Sequence, residues 1–154
     1  MSDWLDPDSL TPRVGSIYPA PFAEPLKGRE KRALGDAAGL SQFGVNLVTL
    51  QPGAWSSQRH WHVNEDEFIY VLEGEVTLIT DAGEQVLKPG RAAGFPAGKP
   101  DGHHLVNRSD KPARYLEVGT RAATEVAHYS DIDLAGRKEN GRFVFTRKNG
   151  QPYP

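Results

Sequence analysis

The sequence predicts an all-β chain, a sandwich or barrel of short strands, and three observations carry that expectation. Its 16 glycines and 12 prolines fall between short apolar runs, the punctuation of strands that end at turns. Runs such as Phe43–Leu50 and Glu67–Leu72 carry β-branched and aromatic residues, which suit a pleated, half-buried surface. At 154 residues the chain can build one substantial core but not two comfortable ones.

The elements follow in order. Residues 1–30 are rich in Pro, Asp and Ser and read as an irregular arm, with one short strand near Ile17-Tyr18. Arg29–Ala38 tolerates helix but lacks a clean period, so it reads as helix or loop. Strands are expected at Phe43–Leu50, Ser56–His62 and Glu67–Leu72. Val76–Thr80 and Glu84–Leu87 flank a hairpin turn at Asp81-Ala82-Gly83. Further strands are expected at Ala92–Phe95, His104–Asn107 and Arg114–Gly119, and one late strand at Phe143–Phe145. This divides one overall domain into an arm (1–40), a barrel (41–121) and an extension packed on it (122–154).

Composition narrows the function. Apolar residues make up 38% and charged residues 25%, and the net charge is −2, so no basic surplus draws the chain to nucleic acid or an anionic membrane. The acidic start, Met1-Ser-Asp-Trp-Leu-Asp, lacks the basic and apolar segments of a secretory signal. A cytoplasmic location is the expectation. With no cysteine, thiolate metal sites and cysteine nucleophiles are excluded.

Four of the five histidines form two clusters, His60/His62 and His103/His104. Side chains alternate along a strand, so His60 and His62 share a face and Trp61 takes the other. Glu67 opens the next strand after a short loop, Val63–Asp66, and could fold back towards them; Glu65 is an alternative carboxylate, and Asp66 faces the wrong way and reads as solvated. Histidine and carboxylate together make a mixed N/O set suited to one divalent transition ion: Fe, Mn, Ni, Co, Cu or Zn. Such a centre would attract an oxyanionic ligand and polarise it.

The order of these residues resembles the two motifs of the cupin superfamily. The first appears as Gly53, His60-Trp61-His62, Glu67 and Gly74; the second as Gly90, Pro96-Ala97-Gly98, His103 and Asn107. Two spacers depart from the pattern, one residue longer before His60 and two longer before His103. The resemblance implies a double-stranded β-helix, or jelly-roll barrel, with His60, His62, Glu67 and His103 as metal ligands. It selects Glu67 over Glu65 by the six residues to Gly74, and His103 over His104 by the three residues to Asn107. Gly53, Gly74, Gly90 and Gly98 read as turn glycines.

Two function classes follow. One is a metalloenzyme acting on a small oxyanionic or sugar-like molecule, by Lewis-acid isomerase, epimerase or lyase chemistry, or by dioxygenase chemistry. Small cupins of this kind are often labelled sugar-phosphate-isomerase-like, though no phosphate cradle is legible in the sequence. The other is a non-catalytic module that binds or senses a sugar, carboxylate or metal. Tyr115 and Glu117 are the candidate general bases, and Gln58 could line the pocket. Arg91, Lys99 and Arg114 read as solvated charges. Cupins are often dimers, and the long arm could lie across a partner, so a homodimer is expected.

Overall fold

The computed structural model describes residues 3–154. Its strands form antiparallel ladders in two facing layers, a jelly roll. One layer is a six-stranded sheet in the order β1 (Arg13–Val14), β2 (Arg29–Ala33), β3 (Phe43–Leu50), β10 (Ala113–Thr120), β5 (Glu67–Glu73) and β8 (Ala92–Phe95). The other layer begins as two sheets. The first runs β13 (Arg142–Thr146), β12 (Ala135–Glu139), β11 (Val126–Tyr129) and β4 (His60–His62). The second runs β7 (Gly83–Leu87), β6 (Val76–Thr80) and β9 (His104–Val106). An isolated bridge between His60 and His103 joins them. Its two reciprocal bonds, His60 N to His103 O at 3.2 Å and His103 N to His60 O at 2.9 Å, make one closely spaced antiparallel pair.

Alternation divides the interior by level. Along β3, Leu50 and Val48 enter the core, whereas Asn46 and Gly44 line a cavity. On β10, Ala113 and Tyr115 are buried with that core, and Glu117 and Gly119 line the cavity. Strand β5 repeats the change from Val71 and Ile69 to Glu67. One end of the roll is therefore an apolar plug and the other is an open polar chamber. The outer face of β5 exposes Phe68, Tyr70 and Leu72.

Four local expectations are corrected. Arg29–Ala38 is strand β2 followed by a short helix, α1 (Leu34–Ala37). Strand β2 carries Arg29 and Lys31 towards the chamber, so it shows no apolar alternation to read. The early strand lies at Arg13–Val14, not at Ile17-Tyr18. Of Ser56–His62 only His60–His62 is strand, because Ser56–Arg59 bends. The tail holds three strands rather than one, and β11 pairs with β4 in the register Ala127 to His62 and Tyr129 to His60. A second apolar cluster, centred on Ala127, Tyr129 and Leu134, joins this tail to Tyr18 and Phe22 of the arm.

Two motif residues have structural roles. Gly74 has a φ of 67°, and a Cβ there would lie 2.6 Å from the Pro112 carbonyl oxygen, so both conformation and space demand glycine. Asn107 is fully buried. Its amide donates to the carbonyls of Leu50 and Lys111, each at 2.8 Å, while its oxygen accepts from Ser109 N and Oγ. Asparagine alone supplies both donors and the acceptor in that shape. Asn107→Asp should cost about 3 kcal/mol of stability, because a buried carboxylate would face two carbonyls. Denaturant unfolding of the two proteins measures this.

Candidate metal centre

Strand β4 places His60 and His62 on the inner face and Trp61 outside, stacked on His128 with ring centroids 4.5 Å apart. Residues directly opposite in an antiparallel pair share a face, so the His60–His103 bridge turns His103 inward. The rings of His60 and His103 lie 5.0 Å apart. His104 faces the other way, its Nδ1 2.8 Å from Ser57 O and its ring edge-on to Trp55. Glu67 arrives from the facing layer at the start of β5.

The atoms converge closely. His60 Nε2 and His62 Nε2 are 3.1 Å apart. Glu67 Oε1 stands 3.2 Å from His62 Nε2 and 3.6 Å from His60 Nε2. The other carboxylate oxygen, Oε2, is 2.5 Å from His103 Nε2. Two donors held about 2.1 Å from a common ion lie roughly 3.0–3.4 Å apart in octahedral or tetrahedral arrangement; the separations of 3.1 and 3.2 Å fall in that range and the third, 3.6 Å, lies just beyond it. Tautomers agree with this. His60 Nδ1 lies 2.8 Å from Gln58 O; a carbonyl only accepts, so Nδ1 carries the proton and Nε2 presents a lone pair.

His62 Nδ1 faces two carboxylates, Glu65 Oε1 at 3.9 Å and Glu125 Oε2 at 3.8 Å. Glu65 is held by Lys138 Nζ at 2.8 Å and by Ala122 N at 2.9 Å. Glu125 is buried and accepts backbone N–H groups of Val63, Asn64 and Val126. Sequence reasoning missed Glu125, whose only signal is that β11 pairs with β4. Glu65, weighed above as the alternative carboxylate, stands behind His62 rather than with Glu67.

Charge follows geometry. For Glu67, burial alone would raise the carboxyl pKa. Hydrogen bonds from His103, His60 and His62 outweigh it and hold the group well below the usual carboxylate range. Burial is also the largest influence on His62 and pushes it down, yet Glu67, Glu125 and Glu65 together raise it. His103 and His104 are lowered, first by burial.

The cluster borders a cavity of about 450 Å³ between the layers. Phe95 lies flat on His103, the ring centroids 3.6 Å apart, and beyond it a second cavity of about 390 Å³ opens beside Trp61 and Lys99. Tyr115 is buried where the core meets the cavity, with its hydroxyl unpartnered, and burial lifts its phenol well above the usual range. Glu117 does line the cavity, with Lys31, Asn46 and Arg13, three residues that sequence patterning did not single out. Gln58 is buried and donates to Phe22 O instead of a histidine.

Comparison with known proteins decides the family. A cupin domain model matches residues 46–119. A solved structure from Silicibacter pomeroyi, described as a sugar phosphate isomerase from a cupin superfamily, shares 52% identity. That match covers 98% of this chain and 96% of the other, with a TM-score of 0.94. The chain belongs to the cupin superfamily. A structure from Acidithiobacillus ferrooxidans, provisionally described as a sugar phosphate isomerase, is 28% identical over 82% of this cupin and 80% of that chain, with a TM-score of 0.73. A polyketide cyclase from Streptomyces resistomycificus shares the fold at 24% identity, 78% and 80% coverage and a TM-score of 0.62. No curated protein matches. No helix among the described residues is long and apolar enough to cross a membrane.

In this cupin stripped of metal, His62 should titrate above 6.5, and His103 and His104 below it. The raised His62 contributes stability that is present below 6.5 and lost as the pH climbs through its folded value. The two depressed histidines act oppositely, costing stability as the pH falls below 6.5. Ring-proton NMR titration reads each group, and a reversed order would contradict the geometry.

Proposed function

We propose that this cupin is a metal-dependent isomerase or epimerase of a small, oxyanionic, sugar-like substrate. One observation carries the reading: Nε2 of His60, Nε2 of His62 and Oε1 of Glu67 converge within 3.6 Å at the chamber wall. Without an ion the imidazoles share protons with Glu67; a divalent ion would take the place of those protons and receive a lone pair from each atom. His60, His62 and Glu67 would hold it, with His103 as the fourth ligand beside Oε2. When bound, a divalent ion supplies a Lewis acid that stabilises developing negative charge on a substrate oxygen.

The chain's own residues do the rest. Gln58 O orients His60, the Glu65 and Glu125 carboxylates face His62 Nδ1 at 3.9 and 3.8 Å, and Phe95 packs flat on the ring of His103. Ile69 and Tyr129 wall the chamber and limit water. Arg13 adds positive charge at its lining, which favours an anionic substrate, while Arg121 is paired with Asp36. The 52% identity to a protein described as a sugar phosphate isomerase supports the substrate class. A second reading, a non-catalytic binding protein, is favoured by the pairing of Glu117 with Lys31 and of Glu65 with Lys138, which ties up two of the carboxylates that line the chamber.

Two experiments test the reading. Elemental analysis of protein purified without a metal-binding tag should find about one divalent ion per chain. His60→Ala, Glu67→Ala and His103→Ala should lose it, and His104→Ala should keep it; no metal after reconstitution overturns the proposal. Proton NMR of candidate sugar phosphates in deuterated water should then show deuterium entering the carbon beside the carbonyl. Metal-loaded protein that binds these compounds without any exchange would favour the binding module.

A further inference from the structure

Opposite the metal cluster, three strands bring one polar side chain each to the same level of the chamber. Register sets Asn46 of β3 directly across from Glu117 of β10, and Lys31 of β2 projects beside them. Glu117 uses a single oxygen for both neighbours: Oε1 accepts from Lys31 Nζ at 3.0 Å and from Asn46 Nδ2 at 3.1 Å. Its Oε2, the amide oxygen of Asn46 and the remaining ammonium protons of Lys31 make no other side-chain bond among the described residues. The side chains of Lys31 and Glu117 are about one-quarter exposed, 24% and 25%, so these free groups are reachable from the chamber. The Lys31–Glu117 charges cancel. What remains is an alternation of donors and acceptors, the complement of hydroxyl groups, which both donate and accept.

The space between this triad and the metal cluster is cleared by two glycines. Gly44 and Gly119 are direct partners across β3 and β10, and Glu67 lies opposite Gly119 on β5. Neither glycine has a positive φ, so the backbone does not require glycine there. A Cβ at Gly119 would come within 3.3 Å of Asp66 O and 4.0 Å of Glu67 Cγ. Glu117 stands one strand over and two residues along from Glu67. At about 3.3 Å per residue and about 4.8 Å between strands, their Cα atoms are roughly 8 Å apart. An extended chain advances about 1.25 Å per bond, so roughly five or six carbons with an oxygen at each end match that separation.

We infer that Lys31, Asn46 and Glu117 form a hydroxyl-reading subsite, and that the substrate is an open polyhydroxylated chain of about five or six carbons. It lies over the Gly44–Gly119 floor, with one end at the metal cluster. The inference rests on the proposed function for that end and deepens it. It disfavours two- and three-carbon acids, which would leave the triad facing empty space, and flat aromatic substrates, which would satisfy few of its polar atoms.

Calorimetric titration of metal-loaded protein with D-sorbitol 6-phosphate, glycerol 3-phosphate and inorganic phosphate tests it. The wild type should bind the six-carbon polyol phosphate at least about tenfold more tightly than inorganic phosphate, and Asn46→Ala and Glu117→Gln should each remove about tenfold of that preference. Metal content should be unchanged in both, and affinity for inorganic phosphate should be unchanged in Asn46→Ala, whereas Glu117→Gln frees the Lys31 charge and should not weaken phosphate. Gly44→Ala, whose methyl group would reach only van der Waals contact with Arg121 Nε at 3.7 Å and Asn46 Nδ2 at 3.9 Å, should weaken the six-carbon compound and spare glycerol 3-phosphate. Because these positions lie in paired strands, thermal unfolding accompanies each titration, and Gly44→Ala decides the case for any triad variant that fails to fold. Wild-type protein that holds a metal ion but shows no preference for the six-carbon compound overturns this inference alone. So do triad variants that fold and bind like the wild type. Protein that takes up no metal yet prefers the polyol, and loses that preference in Asn46→Ala, supports the subsite and overturns the metal centre.

Discussion

A pair of main-chain hydrogen bonds between His60 and His103 joins the two parts of the second layer at the level of the candidate centre. With the bridge between Trp55 and Val106, and the bond from Ser56 N to Leu105 O, it ties the sheet of β4 and the tail strands to β9, β6 and β7. The same pair decides which imidazoles meet, because opposed residues in an antiparallel pair must point the same way. His103 turns in beside His60, and His104 turns out against Trp55. Glu67 then needs only the facing layer at its usual spacing. The candidate centre is thus a consequence of register, with side-chain electrostatics following from it.

The division of the interior is the second organising constraint. Buried Val48, Val71, Leu105 and Tyr115 fill one end of the roll, where removal of apolar surface from water supplies the driving force. The other end places carboxylates, imidazoles and ammonium groups inside the same fold, which is tolerable only because each is paired or reaches the chamber. Lys138 with Glu65, Lys31 with Glu117 and three backbone N–H groups with Glu125 meet that requirement. Stability and function thus occupy opposite ends of the same strands, separated by one step along each.

Much of this was legible in the sequence, and the illegible parts share a cause. The strands from Phe43 to Gly119 carry apolar residues on a core face, so alternation and turn residues revealed them. Alternation also placed His60 and His62 together, and the cupin motifs added Glu67 and His103. Strand β2 escaped because its inner face is Arg29 and Lys31, a pattern that local reading cannot separate from solvated charge. The tail escaped for a related reason: Val126–Tyr129 is only four residues long and Ala135–Glu139 is mostly polar, and both are held by ladders, β11 to β4 and β12 to β11 and β13, rather than by a periodicity of their own. Glu125 and the Lys31–Asn46–Glu117 triad became visible only with long-range register, since no two members of either group are near in sequence to the atoms they serve.

The lateness of β11 has a consequence for how the chain comes into being. A ribosome releases the chain from the N-terminus, and domains assemble as their parts emerge. By the time Asn107 is out, every histidine and carboxylate of the candidate centre has been made. Yet β4, three residues long, still lacks the neighbour that pairs with it, and His62 lacks Glu125 behind it. The centre therefore waits for Tyr129, some seventy residues after the strand it completes. Until then the nascent protein carries its full set of candidate ligands in an unfinished frame, and a chain halted before that point would be complete in chemistry and incomplete in shape.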